Sequence, residues 1–274
     1  MSHKPLPPFL KPFLLSLVLV TGGCASVQGP PDDRDPFESF NRAVYKFNDA
    51  ADRAVIRPVA TTYREYVPRP VRSGVSNFFG NLEDVIVLLN NVLQLKFDKA
   101  ASDFGRIVFN TTFGLFGLFD VATPLGLPKH NEDFGQTLGH WGVPSGPYLV
   151  LPFLGPSSVR DTAGLTVDIY SHPVFNTLVT DQTTAWGAVG VRYIDLRSQL
   201  LGATRVVDEA ALDPYAFIRD AYLQRRRNLV YDGNPPPDPQ YDFIPDDNAD
   251  ADLELELELE KTPPASPPPD KAHP

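Results

Sequence analysis

Cysteine occurs once in this chain, at Cys24. A single thiol excludes a disulfide framework and a cysteine-rich zinc site. Basic charge is also scarce: 24 Lys and Arg stand against 34 Asp and Glu, and the formal charge of −10 argues against a general nucleic-acid binder. Motifs of bond chemistry are missing as well. No G-x-S-x-G elbow occurs, because Gly142-Val143-Pro144-Ser145-Gly146 puts Ser145 one place too late. There is no Walker loop, dinucleotide fingerprint or H-E-x-x-H. His130, His140 and His172 are the histidines away from the ends, and none sits at metal-ligand spacing to another. The sequence calls for no catalytic residue, no metal and no cofactor. His140, in Leu138-Gly139-His140-Trp141-Gly142, is the one histidine with both a structural and a functional reading. A long apolar run is lacking too. Phe9–Val20 is interrupted by Lys11, Pro12 and Ser16 and is shorter than the ~20 residues a spanning helix needs.

What the N-terminus does contain points to export. His3 and Lys4 precede the apolar stretch, and the small residues Thr21, Gly22 and Gly23 lead directly to Cys24. That order matches a lipoprotein signal, with residues 1–23 removed and Cys24 acylated as the new first residue. An ordinary secretory signal with an incidental cysteine is the other reading. Thr21 stands where such signals usually carry Leu. Ala25, rather than Asp, follows the cysteine, as in lipoproteins forwarded to the outer membrane. Residues 24–34 read as a linker. At the other end, residues 232–274 hold 12 acids, 2 bases and 11 prolines, so the acidity belongs to a tail. The tail reads as disordered, although Leu253–Glu260 alternates with a strand's period.

Residues 35–231 read as helices separated by Pro/Gly connectors. Asp35-Pro36 and Asp213-Pro214 each place a capping carboxylate before a proline suited to a first helical turn. Phe37, Phe40, Val44, Phe47, Ala51 and Ala54 share one face, and Pro58 ends or bends that helix. Further helices are expected over 70–91, 98–113, 157–170, 183–208 and 214–231. In the first of these Val71, Val75, Phe78, Leu82, Val85, Leu89 and Val92 are in register. Two uncharged segments fit an ordinary bundle poorly. One is Ile107–Phe119; the other is Phe134–Val159, broken by four prolines and five glycines. They read either as a buried hairpin and loop or as apolar surface lying in a membrane without crossing it.

Several motifs in order resemble the MlaA/VacJ family of outer-membrane lipoproteins. They are Asp35-Pro36-Phe37-Glu38-Ser39-Phe40-Asn41-Arg42, Tyr45-Lys46-Phe47-Asn48, Arg57-Pro58-Val59 and Gly80-Asn81-Leu82-Glu83. Asp133-Phe134-Gly135-Gln136-Thr137-Leu138-Gly139-His140-Trp141-Gly142 with Gly146-Pro147-Tyr148 is the most distinctive stretch. Asp213-Pro214-Tyr215 with Arg219 and Gln224-Arg225 closes the series.

The resemblance implies an all-α, ring-like assembly of amphipathic helices in the inner leaflet of the outer membrane. It implies a channel that takes misplaced phospholipids from the outer leaflet, association with a trimeric porin, and delivery to a periplasmic lipid-carrier protein. The family's gating hairpin corresponds to Phe113–Lys129, with Phe113, Gly114, Phe116, Gly117, Phe119 and Gly126 as candidate gate residues. Arg64, Arg72, Arg106 and Arg160, on helices beside the Phe/Leu segments, are candidates for a polar headgroup path, and each also reads as a surface or helix-capping charge. A porin-associated structural lipoprotein without lipid transfer, or a lipid hydrolase, are the competing readings.

Overall fold

The computed structural model describes residues 32–172 and 181–237. Cys24, most of the linker and nearly all of the acidic tail lie outside the described residues. The chain divides into a unit through Asn234 and a second, Pro235–Pro274; everything below concerns the first.

Helices dominate it. They are α1 (Glu38–Ala51), α2 (Arg57–Tyr66), α3 (Arg69–Leu93), α4 (Phe97–Thr112), α5 (Phe134–His140), α6 (Val159–Ser171), α7 (Gln182–Ala210) and α8 (Pro214–Val230). None of the described helices is long and apolar enough to cross a membrane. Four are capped by side chains that accept from otherwise orphaned amides: Asp133 for α5, Ser158 for α6, Asp181 for α7 and Asp213 for α8. Asp213-Pro214 thus caps as expected. Asp35 does not. Its side chain is buried, accepting from Asn41 Nδ2 at 2.7 Å and from the Tyr215 hydroxyl at 2.5 Å, and α1 starts without a side-chain cap. Nor does Pro58 end its helix. A π-helical turn, Asp52–Ile56, joins α1 to α2, with Arg57 N bonded to Asp52 O five residues back. Widening the turn carries the helix past a proline that has no amide hydrogen to offer.

The broken segment 134–159 is neither a single loop nor free of strand. It holds α5 and an antiparallel hairpin of β1 (Tyr148–Leu151) and β2 (Gly155–Ser158). The open edge of β1 is met by two side chains of α1. Asn41 donates to Tyr148 O and accepts from Val150 N; seven residues on, Asn48 donates to Leu151 O and accepts from Phe153 N. Two asparagines therefore do the work of a third strand. Periodicity could not show this, because the partner is a helix face.

The distribution of polarity is unusual. Among the described residues, buried polar and charged side chains outnumber buried apolar ones, while Phe, Leu, Val and Trp side chains stand exposed on almost every element. A water-soluble core shows the reverse.

Candidate functional site

α3 and α4 form an antiparallel pair whose facing sides are polar. On α3, Asn77, Asn81, Asp84 and Asn91 recur at helical spacing; on α4, Asp103, Arg106 and Asn110 do the same. The stripes meet rung by rung. Asn91 donates to Asp103 at 2.6 Å, Arg106 donates to Asp84 at 3.3 Å, and Asn81 donates to Thr111 at 3.0 Å. Arg106, Asp84 and Asp103 are almost fully buried. The apolar register of α3 faces the other way: Val71, Leu89 and Val92 are exposed, as are Phe104 and Val108 beside Arg106 on α4. The apolar period shows which residues share a face; the structure turns the two ends of that face outward and leaves Val75, Phe78, Leu82 and Val85 half-buried between them.

Segment 113–129 folds back over the pair. Its backbone is held by polar groups from beneath: Asn77 donates to Leu118 O, Asn110 Oδ1 accepts from Val121 N and Ala122 N, and Arg106 donates to Leu127 O. Phe113, Leu115, Phe116, Leu118 and Phe119 point outward. The glycines have specific tasks. A Cβ on Gly114 would overlap the carbonyls of Asn110 and Phe119, and one on Gly117, at φ +89°, would lie 2.6 Å from Asn81 Cβ. They permit close approach to α3 and α4. Gly126 takes φ +82° after a short 3-10 turn with open space around it.

Between α3, α4, this segment and α7 lies a polar cavity of about 210 Å³, lined by Asn77, Asn81, Asn110, Asp120, Arg106, Lys129 and Arg192. Its cations are paired at the wall: Arg106 with Asp84 and Asp120, Lys129 with Asp84, Arg192 with Glu83 and Asp195. Burial pushes the Asp120 carboxyl up, but hydrogen bonds from Thr123 and the Arg106 charge outweigh it and hold the group ionised below its ordinary value. One buried acceptor, Asn81 Oδ1, has no partner. By contrast, the groove between α2 and α7, about 600 Å³ along Pro58, Val59, Gly187, Gly190 and Val191, is apolar and offers no ionisable side chain beyond Tyr63.

Of the four expected headgroup arginines, Arg106 lines the polar cavity. Arg64 is exposed, Arg72 donates to Val67 O at the end of α2, and Arg160 pairs with Asp161. His140 is exposed at the end of α5. His130 bonds the buried Asp103 at 2.7 Å. Reading the sequence for apolar positions missed Asn77, Asn81, Asn110, Asp120, Lys129 and Arg192. The available signal was the second, polar period running along the same two helices.

Residues 33–229 match the family model described as MlaA lipoprotein. The chain belongs to the MlaA lipoprotein family. It is 39% identical over 237 residues to the intermembrane phospholipid transport system lipoprotein MlaA of Escherichia coli strain K12, covering 83% of this chain and 92% of that protein. The protein of the same name from Haemophilus influenzae is 34% identical over 229 residues, covering 80% and 89%. A structure solved in work on the structural basis for maintenance of bacterial outer membrane lipid asymmetry superposes with a TM-score of 0.63 at 36% identity, covering 72% of this chain and 98% of that one. Both MlaA relatives carry the names of transport lipoproteins rather than enzymes.

Proposed function

We propose that this chain is an outer-membrane lipoprotein that removes misplaced phospholipids from the outer leaflet and passes them to a periplasmic carrier protein, maintaining lipid asymmetry by retrograde transport. The carrying observation is the inverted polarity: a paired, ionic cavity enclosed by helices whose outer faces expose Phe, Leu and Val. Two sixteen-carbon chains exposed to water would cost ~24 kcal/mol at ~0.8 kcal/mol per CH₂. A lipid in transit therefore needs polar surroundings for its headgroup and apolar ones for its tails. The cavity supplies the first and the Phe/Leu surface of 113–119 the second. No bond need break, so no nucleophile is required, and the chain acts without enzymatic chemistry.

Cys24 serves as the acyl anchor, residues 24–34 as the linker, and the helices lie in the inner leaflet beside a trimeric porin, their apolar faces in contact with lipid tails. Segment Phe113–Lys129 acts as the gate, opening by lifting its exposed Phe rim away from α3. The acidic tail after Asp232 is dispensable for transport. The test is made in cells. Without the chain, outer-leaflet phospholipid should rise and growth in detergent plus chelator should fail; the intact chain should reverse both, and Cys24→Ser should reverse neither. Outer-leaflet phospholipid that stays at the parental level when the chain is absent overturns the reading.

A further inference from the structure

A second polar cavity, of about 290 Å³, opens between α3, α5 and α8, with Glu132, Asp133, Gln136 and Arg226 in its wall. Lys129 lines this cavity and the first one as well. It is common to both walls, with Nζ donating to Gly80 O at 3.0 Å and to Asp84 Oδ1 at 2.5 Å. α3 carries a glycine where the ammonium rests: a Cβ at Gly80 would lie 3.2 Å from Nζ.

The three cations of the first cavity differ in their freedom. Arg106 is spread over Asp84, Asp120, Thr123 and Leu127 O, and its side chain is 3% exposed. Arg192 is clamped by both Glu83 oxygens at 2.8 Å and is 18% exposed. Lys129 is 38% exposed, has a flexible stem, and keeps a third donor beyond the two in use. Its departure would not strand Asp84, whose other oxygen faces Arg106. On the far side, Gln136 is 2% exposed, yet its Oε1 has no donor. A buried acceptor left open in the wall that also holds a lysine suits a ligand carrying both an anionic group and an N–H or O–H.

We infer that Lys129 is the binding residue for the phosphate diester of a phospholipid headgroup, exchanging Asp84 for the phosphate as the headgroup passes from the first cavity to the second. This rests on the transport reading above. Ion pairing is conserved across the exchange: Asp84 retains Arg106, and the phosphate replaces one carboxylate with another anion. Lysine suits the task because its ammonium can turn between partners, where a bidentate arginine would hold them.

The experiment uses the full-length acylated protein in detergent micelles and calorimetric titration with three probes: dihexanoyl-phosphatidylethanolamine, dihexanoylglycerol and inorganic phosphate. Lys129→Gln should weaken the phosphatidylethanolamine by about tenfold, as loss of a charge-assisted hydrogen bond does, and leave dihexanoylglycerol unchanged. Lys129→Arg should restore most of the phosphate-dependent affinity. Unchanged phosphatidylethanolamine affinity in Lys129→Gln overturns the inference while leaving transport intact. Equal loss of both lipids overturns it too, making Lys129 a structural residue. Inorganic phosphate that matches the lipid's affinity and displaces it would assign the site to a free anion. A wild-type protein that takes up no phospholipid at all defeats the transport reading itself.

Discussion

The α3–α4 pair and the region where α1, the β-hairpin and α8 meet are built on opposite plans. Around the hairpin, aromatic rings fill the interior: Tyr45, Tyr148 and Tyr222 pack on one another or on Tyr215 at centroid distances of 5.8–6.3 Å, with Val44, Val150 and Leu223 buried nearby. Two of the carboxylates buried there serve the rings, while Asn41 serves the hairpin backbone. Tyr215 and Tyr222 donate their hydroxyls to Asp35 and Asp161, and burial raises the pKa of both phenols. Between α3 and α4 there is no such filling. Carboxylates, amides and a guanidinium face one another across the interface, and Val71, Leu89, Val92, Phe104 and Val108 stand outside, although Phe79, Ile86 and Val87 of α3 are buried. The first plan has the interior of a water-soluble core, although Phe37, Phe47, Phe153 and Phe217 stand exposed around it. The second suits the proposed placement, in which lipid tails rather than water cover the outer faces.

The comparison breaks first at Arg106. Arg106→Ala leaves Asp84 short of a partner and removes the tie to Leu127 O. Denaturation in mild detergent should show a loss of about 3 kcal/mol, the low end for breaking a buried ion pair, because Lys129 still faces Asp84. A loss below 1 kcal/mol would mean that the polar seam is wet and contributes little.

A smaller effect is expected from the aromatic region. Tyr215→Phe removes one hydroxyl from Asp35, which keeps Asn41 and, at 3.5 Å, Arg219. The same assay should register about 1–2 kcal/mol. An equal or larger loss than for Arg106→Ala would erase the distinction between the regions.

An effect of similar size that depends on pH is expected at Asp168. Asp168 accepts from Phe134 N, and burial raises its pKa to about 6, the Phe134 amide only partly opposing. A raised carboxylate pKa means that the folded state holds the proton more tightly, so ionisation costs stability as pH climbs from about 4 to about 6. Asp168→Asn removes that cost. Its stability relative to wild type should therefore improve by roughly 1–2 kcal/mol between pH 4.5 and pH 7.5. A difference that stays flat with pH would show Asp168 ionised at no penalty.

Much of this fold was readable in the residues. The spans expected for α3, α4, α6, α7 and α8 fall within about two residues of those observed, because proline, capping aspartate and a 3.6-residue period mark ends and faces locally. Direction was harder to read. A period says that Val71, Leu89 and Val92 lie together and is silent about whether lipid, water or protein lies opposite. The hairpin escaped for a related reason. Its β1 edge is satisfied by Asn41 and Asn48, more than a hundred residues away in sequence. The glycines of 113–119 signalled a special backbone, and the structure assigns Gly114 and Gly117 to close packing on α3 and α4.

The π-helical turn at Asp52–Ile56 also acts as a phase adjuster. It amounts to one extra residue in an otherwise regular helix, and each residue advances an α-helix by about 100°. Upstream of it, Asn41 and Asn48 aim at the hairpin; downstream, Ala60 is buried and Tyr63 reaches Asp195 of α7. Without the offset, one continuous rod could address only one of those neighbours. Because the wider turn absorbs that residue, deleting one here should close it to an ordinary α-turn with Ala60 and Tyr63 still on their faces, whereas inserting one should swing every downstream side chain by about 100° and uncouple α7 from the front of the molecule.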